Sequence, residues 1–487
     1  MSLKAKVLRG AFWTFVQSWG TQFGSLSIFF LLARLLTPEA FGLVALASVF
    51  LAFMQAFLSQ GFADAIVQRD HLEPAHLDAA FWTGVVLGTG LMVLEISTSQ
   101  LIATFFDTPQ LAPVLCWFSP LLLIKSLSTV HQAKLQRQFA FKSLAIRNIA
   151  GVVSGGLVGL VMALNQFGVW ALVGQQLAQE LVATIVLWWT VDWRPNYSFS
   201  PKHWQELLAF GLHQAAFSLM NFMNTRADDF LIGYYLGPIS LGYYSLAYRI
   251  LTAMTDLLVN SSNQLALPTF SRLKDDLEQF QRAFCQATKL SSTLAFPAFV
   301  SVAILAPELI TTLFGEKWKP SIPILQILVF VGALRSVTYF KGAIFLAMGK
   351  PAWRLRLGML TSLLNILGFF IAVQWGILEV AWAYLTCSLI MFPISQGVVS
   401  QFVKVQFRQY LQQFTTSVVS TLVMAAVMWL ACFLLKDVLA PIGVMVIALV
   451  IGASVYGLAI YRFEPELVQK IWLFLPLGSK KAKPHSL

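Results

Sequence analysis

Charged side chains are scarce in this chain. They make up 11% of its 487 residues, against 57% hydrophobic, where a soluble domain carries about 25% charge. That shortage excludes a water-soluble globular fold. Cysteine is scarce too: Cys116, Cys285, Cys387 and Cys432 lie in or beside apolar runs, with a spacing that fits neither a disulfide framework nor a metal site. A Walker loop, a Gly-x-Ser-x-Gly elbow, a metal-ligand helix and an aspartate-rich glycosyltransferase motif in a loop are all missing. No enzyme site, cofactor or metal is therefore expected.

Long apolar runs are abundant, each able to cross a hydrocarbon core of about 30 Å. Hydropathy predicts an all-α polytopic membrane protein with about fourteen spans, at 11–36, 41–63, 78–106, 111–130, 145–165, 168–191, 207–236, 240–267, 287–314, 321–347, 353–374, 377–402, 412–435 and 440–462. The start, MSLKAKVLRG and a long apolar run, lacks a clear cleavage site after a short core and is expected to stay as the first span. External loops are too short for an extracellular domain. The net charge of +11 suggests nucleic acid, but the distribution argues against it. With both termini in the cytoplasm, the large majority of Lys and Arg fall in cytoplasmic segments, the positive-inside pattern. Lys4, Lys6 and Arg9 before the first span and Lys480, Lys481 and Lys483 in the tail read first as topology signals and second as contacts to anionic membrane lipids.

Polar residues mark one face of two apolar segments. Thr14, Ser18, Thr21 and Ser25 recur at helical spacing in the first span, and Gln214, Ser218, Asn221 and Thr225 repeat that spacing in the seventh, continuing to Asp228. Such positions share a stripe on a helix. Unpaired polar groups in lipid are costly, so the stripes predict two helices facing one wet cavity, as in a transporter.

The repeat extends further. Leu36, Pro38, Gly42, Leu46 and Ala47 return as Leu236, Pro238, Gly242, Leu246 and Ala247; Leu101, Ile102, Thr104 and Phe106 return as Leu309, Ile310, Thr312 and Phe314; Gln166 and Gly168 return as Gln374 and Gly376. The predicted domains are a six-helix lobe over 1–192, a cytoplasmic linker over 193–206, a second six-helix lobe over 207–403, and two extra helices with a basic tail over 404–487. An even helix number relates the lobes by a pseudo-twofold axis along the membrane normal, an arrangement suited to rocking. Segment 270–284 is expected to form a short amphipathic surface helix.

Ionisable residues inside spans are functional candidates by default. They are Lys125, Arg226, Arg249, Arg335 and Lys341, with Asp228, Asp229, Asp256, Glu95 and Glu180. Arginine suits phosphate because its planar fork donates two parallel charge-assisted hydrogen bonds. Arg249 and Arg335 are the favoured anion contacts. Arg226 and Asp229, three apart, are equally placed to pair within one helix, and Asp256 to pair across helices. Lys125 and Lys341 are also placed to snorkel. Glu95 and Glu180 read as structural, as do His131 and His213 near span ends.

Phrases such as RGAFWTFVQSWG, LLARLLTPEAFGLVALASVF, GFADAIVQRD, AKLQRQFAFKSLA, LIGYYLGPISLGYYSLAYR, LPTFSRL and GEKWKPSIPILQIL follow one another in order. Over roughly residues 8–400 the chain resembles the polysaccharide transport family of Wzx-type flippases, near the colanic acid and teichuronic acid exporter branch of the multidrug/oligosaccharidyl-lipid/polysaccharide superfamily. The resemblance implies two six-helix lobes around a central cavity plus two helices, in a bacterial inner membrane. It also implies movement of an undecaprenyl-pyrophosphate-linked oligosaccharide to the outer leaflet, with a polymerase or ligase consuming the product. On that reading Arg226, Arg249, Arg335 and Lys125 meet the pyrophosphate, and Gln214, Asn221, Asn224 and Thr225 meet sugars. Asp228, Asp229 or Asp256 then couples a cation, Na+ or H+. The carry-over is firmest for Arg249, inside LGYYSLAYR, and for the aspartates before LIGYYLG. A drug/organic-cation antiporter of the related MATE family would need an acid-dominated pocket, and a polysaccharide polymerase or ligase a large external loop; the sequence favours neither. A purely scaffolding role leaves the polar stripes unexplained.

Overall fold

A computed structural model describes residues 3–58, 63, 66–67, 72–197 and 201–465, without the side chains of 3–12, 14–16, 201–217 and 260–265. The described residues are overwhelmingly helical. The first part of the chain forms α1 (Leu3–Leu35), α2 (Pro38–Leu58), α3 (Pro74–Phe105), α4 (Leu111–Phe118), α5 (Pro120–Arg137), α6 (Phe141–Leu164), α7 (Val169–Thr190) and α8 (Pro201–Thr255). A π-turn at Asp256–Asn260 leads into α9 (Ser261–Leu273), followed by α10 (Leu277–Leu313), α11 (Ser321–Thr338), α12 (Lys341–Ala347), α13 (Pro351–Ala372), α14 (Ile377–Val403), α15 (Phe407–Leu435) and α16 (Pro441–Phe463).

Among the described residues eleven helical segments are long and apolar enough to cross a membrane, counting α4 with α5 and α11 with α12 as single segments. α1 and the two limbs of α8 occupy the positions of the other three expected spans. The chain is a polytopic all-α membrane protein.

Several local departures have plain causes. The seventh and eighth spans, expected as separate helices, run together in the 55-residue α8, kinked at Gly237 (φ 77°, ψ 176°) and Pro238. Glycine tolerates that left-handed φ, and proline removes an N–H from the ladder. The fourth span runs on to Arg137, interrupted only at Ser119–Pro120. Segment 270–284 is not one helix: it breaks between Leu273 and Leu277, where Asp276 caps α10 by accepting from Gln279 N at 3.0 Å. The linker is tied to the start of α3: Trp82 Nε1 donates to Asn196 O at 2.8 Å, and Asn196 N to Asp78 Oδ1 at 3.1 Å. Residues 198–200, His213, Lys4, Lys6, Arg9, Lys480, Lys481 and Lys483 lie outside what is described, the basic residues and the histidine at least as side chains.

The chain divides into two compact units, one of Met1–Leu246 with Ser362–Val380, the other of Ala247–Thr361 with Ala381–Leu487. In the first, α6 lies between α1 and α7. Gly24 of α1 faces Val152, and Gly156 faces Ile28. The repeat-related N-termini of α2 and the second limb of α8 cross reciprocally. A Cβ on Gly42 would meet Pro238 O at 1.7 Å, and one on Gly242 would meet Pro38 O at 2.0 Å. Residue i meeting j' while j meets i' is the signature of a twofold contact, here between two copies of one sequence pattern. In the second unit α15 and α16 pack on α10 through Leu305, Met424, Met428 and Ala448. Polar links join them as well: Thr293 Oγ1 to Ser417 Oγ at 3.0 Å, and Tyr456 OH donating to Thr293 O at 2.8 Å. The last two helices are thus built into a core.

Candidate functional site

A cavity of about 900 Å³ lies within the first unit, lined from α2, α3, α5, α6, α7 and the first limb of α8. Its wall carries Lys125, Arg147, Arg226 and Glu180, with amides from Gln55, Gln132, Gln136, Asn148 and Asn221 and hydroxyls from Ser126, Ser128, Thr129, Ser218 and Thr225. Among the described residues of this wall three cations face one carboxylate. Such a surface suits an anion flanked by many hydrogen-bonding groups.

Ser218, Asn221 and Thr225 of the stripe on α8 line the cavity, with Arg226 beside them, whereas Asp228 at the end of the stripe is buried outside the lining. Asn224, half-buried, is not in that lining, and the Gln214 side chain lies outside the described residues. The stripe on α1 does not join them: no described residue of α1 is in the lining. That helix packs on α6 instead, and Thr21 Oγ1 satisfies itself on Gln17 O at 2.7 Å. Thr14 lies outside the described side chains.

Arg226 Nη1 donates to Asp229 Oδ2 at 2.9 Å, the pairing within one helix that the spacing left open. The Asp229 side chain is 6% exposed and that of Arg226 39%, so the carboxylate is buried while the guanidinium opens to the cavity. A guanidinium has five N–H donors, and this bond uses one. Asp228 is buried beside it, accepting from Tyr244 OH at 2.8 Å and from Asp229 N at 3.0 Å. Tyr244 lies beyond the Gly237 kink, so this bond ties the two limbs of α8 together.

Lys125 Nζ donates to Gln55 Oε1 at 2.8 Å. Arg147 lies just inside the expected span 145–165 but is not among the ionisable candidates singled out from the sequence. The structure buries it to 8% exposure in the cavity wall, with Nη1 on Gln132 Oε1 at 2.9 Å and Nε without a partner among the described residues. Glu180, expected to be structural, lines the same cavity and acts through charge on both Lys125 and Arg147. Helical pitch shows that Arg147 shares a face with Gly151 and Gly155, which press on α7; read that way, the signal was available.

Arg249, Asp256, Arg335 and Lys341 belong to the second unit. Arg249 is exposed. Asp256 opens the π-turn, a distortion found disproportionately at functional positions. The Arg335 guanidinium is hydrogen-bonded to Tyr384 OH and lies 5.4 Å from that ring's centroid, a cation–π arrangement. Lys341 borders a small crevice with Thr338, Ser395 and Gln396.

Glu95 is fully buried, with neither carboxyl oxygen partnered among the described residues. His131 is buried and stacked on Trp188 at 4.6 Å, with Trp193 at 5.2 Å. Among the described residues no group of three metal-ligating side chains converges.

A family model described as "Polysaccharide biosynthesis protein" matches residues 31–323, which include every described charged residue of the cavity wall. The chain belongs to that family. Its curated relatives include the teichuronic acid biosynthesis protein TuaB of Bacillus subtilis (strain 168), 28% identical over 84% of this chain and 86% of the relative. They also include the lipopolysaccharide biosynthesis protein WzxC of Escherichia coli (strain K12), 26% identical over 84% of each chain. Among solved structures the lipid II flippase MurJ, in an inward closed conformation, superposes with a TM-score of 0.77 at 17% identity, over 95% of this chain and all of that one. At that identity the likeness is one of fold.

Proposed function

We propose that this member of the polysaccharide biosynthesis family is a flippase. It carries an undecaprenyl-pyrophosphate-linked oligosaccharide across a bacterial inner membrane by alternating access, with both termini cytoplasmic. One observation carries the reading: a polytopic helical protein holds a large cavity whose wall is cationic and rich in amides and hydroxyls. Cations and amides inside a membrane are costly unless they meet water or a ligand. A lipid-linked sugar offers what that wall lacks, an anionic junction and many hydroxyls, while its tail stays in the bilayer. Lys125 and Arg226 provide cations in the first unit, and Arg249 and Arg335 in the second. Asn221 and Thr225 meet sugars, together with Gln214 and Asn224. Asp228, Asp229 or Asp256 couples a cation. Two six-helix lobes, 1–192 and 207–403, rock against each other, and the reciprocal crossing of Gly42 and Gly242 supports such a pseudo-twofold design. No chemical step is assigned to the protein itself; a polymerase or ligase outside consumes the product.

The test is transfer of a fluorescent undecaprenyl-pyrophosphate oligosaccharide across proteoliposomes holding the purified protein, beside an Arg226→Ala variant and an Arg249→Ala/Arg335→Ala variant. Transfer above empty vesicles, reduced in the variants, is expected. Full transfer by both variants would discard the cation assignments, and cation-coupled efflux of an organic cation without lipid transfer would place the protein among antiporters.

A further inference from the structure

Lys125, Arg147 and Glu180 form a charge triad that is left open. Each cation is held by a neutral amide, Lys125 on Gln55 and Arg147 on Gln132. Glu180 interacts with both through charge, yet among the described residues it makes no ion pair with either. Charges inside a membrane protein ordinarily close on each other, because an unpaired one held away from water costs several kcal/mol; here Arg147 is buried, Glu180 half-buried, and Lys125 open to the cavity. Here three charges on α5, α6 and α7 line one cavity without touching. Arg147 in addition presents a buried Nε without a partner among the described residues. Amide partners orient the cations without neutralising them, which is the arrangement of a preorganised anion site.

The chemistry of the three groups defines the ligand. Lys125 and Arg147 supply charge-assisted donors for a phosphate. An ionised carboxylate only accepts hydrogen bonds and repels a phosphate, so Glu180 needs a ligand bearing hydroxyls beside its anion. We infer that Lys125, Arg147 and Glu180 form a subsite for a sugar–phosphate junction, with the phosphate on the two cations and hydroxyls of the first sugar on Glu180. The subsite rests on the flippase reading and deepens it. It makes Glu180 a selectivity residue: a bare polyprenyl pyrophosphate meets the repulsion of the carboxylate, while a glycosylated one converts it into hydrogen bonds. Loaded carriers are thereby favoured over empty ones.

Binding to the full chain in lipid nanodiscs tests this with three probes: a short-chain polyprenyl pyrophosphate bearing a neutral disaccharide, the same pyrophosphate without sugar, and a free uronate-containing disaccharide. Lys125→Met and Arg147→Met are expected to weaken both pyrophosphate probes by about tenfold or more, the scale of one charge-assisted contact, with partial recovery in Arg147→Lys. Glu180→Gln should weaken the glycosylated probe and strengthen the bare one. Should Arg147→Met fail to fold, Gln132→Ala, which removes only the amide holding Arg147, is expected to weaken both pyrophosphate probes by a smaller factor. Unchanged binding in the cation variants overturns the subsite while leaving the flippase reading intact. Strengthening of both probes by Glu180→Gln overturns the hydroxyl role and leaves Glu180 a mere counter-ion. Arg147-dependent binding of the free uronate alone overturns the phosphate assignment in favour of a sugar carboxylate. Failure of the wild type to bind either pyrophosphate probe defeats the flippase reading and the subsite together.

Discussion

Replacing Gly42 or Gly242 by alanine should open the crossing between α2 and the second limb of α8. A Cβ at position 42 would stand 1.7 Å from Pro238 O and 2.5 Å from its carbonyl carbon, and one at position 242 would stand 2.0 Å from Pro38 O. Carbon and oxygen approach no closer than about 3.3 Å even in favourable C–H···O contacts, so the backbones must part by roughly 1.5 Å. The obstructing atoms are main chain and cannot rotate away. Overpacking of this kind costs about 1–3 kcal/mol, offset by the roughly 0.5–1 kcal/mol that alanine gains over glycine in a helix. Gly90 and Gly457 are internal controls, since a Cβ on either would meet nothing within 4 Å. Thermal unfolding of the detergent-solubilised chain, followed by tryptophan fluorescence, should therefore rank Gly90→Ala and Gly457→Ala at or above wild type, with Gly42→Ala and Gly242→Ala below it. Both crossing substitutions push one pair of helices apart, so the double variant should lose much less than their sum. Melting of Gly42→Ala and Gly242→Ala at the wild-type temperature, or full additivity between them, would refute the close crossing.

Other outcomes follow from single contacts. Arg226→Ala leaves Asp229 buried without its cation and should lower stability by about 2–4 kcal/mol, reduced from the fully buried case because the guanidinium is partly solvated; Arg226→Ala/Asp229→Asn should recover most of it in the same unfolding assay. Tyr244→Phe removes the hydrogen bond to Asp228 across the kink of α8, for an expected loss of about 1–3 kcal/mol. His131→Phe should retain stability and transport, because the ring is fully buried against Trp188 and Trp193; loss of transport with normal folding would give it a role in proton movement. Tyr410→Phe, which deletes a 2.6 Å bond from α15 to Val337 O of α11, should cost about 1 kcal/mol, whereas a detached C-terminal pair would not register it.

The candidate site was legible where helical periodicity alone carried it. Ser218, Asn221 and Thr225 stand on one face at fixed pitch, and all three reach the cavity. The same argument failed for Thr21 and its neighbours on α1, because periodicity names a shared face without saying what that face meets. A glycine-notched contact with α6 claimed the helix. Arg147 escaped notice because hydropathy assigns residues near a span end to the interface, yet side chains there can turn inward when an amide such as Gln132 receives them. Glu180 looked isolated in its own span, and its relation to Lys125 and Arg147 exists only between helices.

By itself the sequence determined the class, the succession of long apolar segments and the internal repeat. These depend on transfer free energy accumulated over about twenty residues and on local backbone preferences, as at Gly237–Pro238. It also determined which residue types stand inside the membrane. Only tertiary structure decided which charges meet. Arg226 closes on Asp229 three residues away, while Lys125, Arg147 and Glu180, from three different helices, are held apart by Gln55 and Gln132. Pairing energies depend on distances of a few ångströms between helices, and those distances are set by how small side chains and amides let the helices approach.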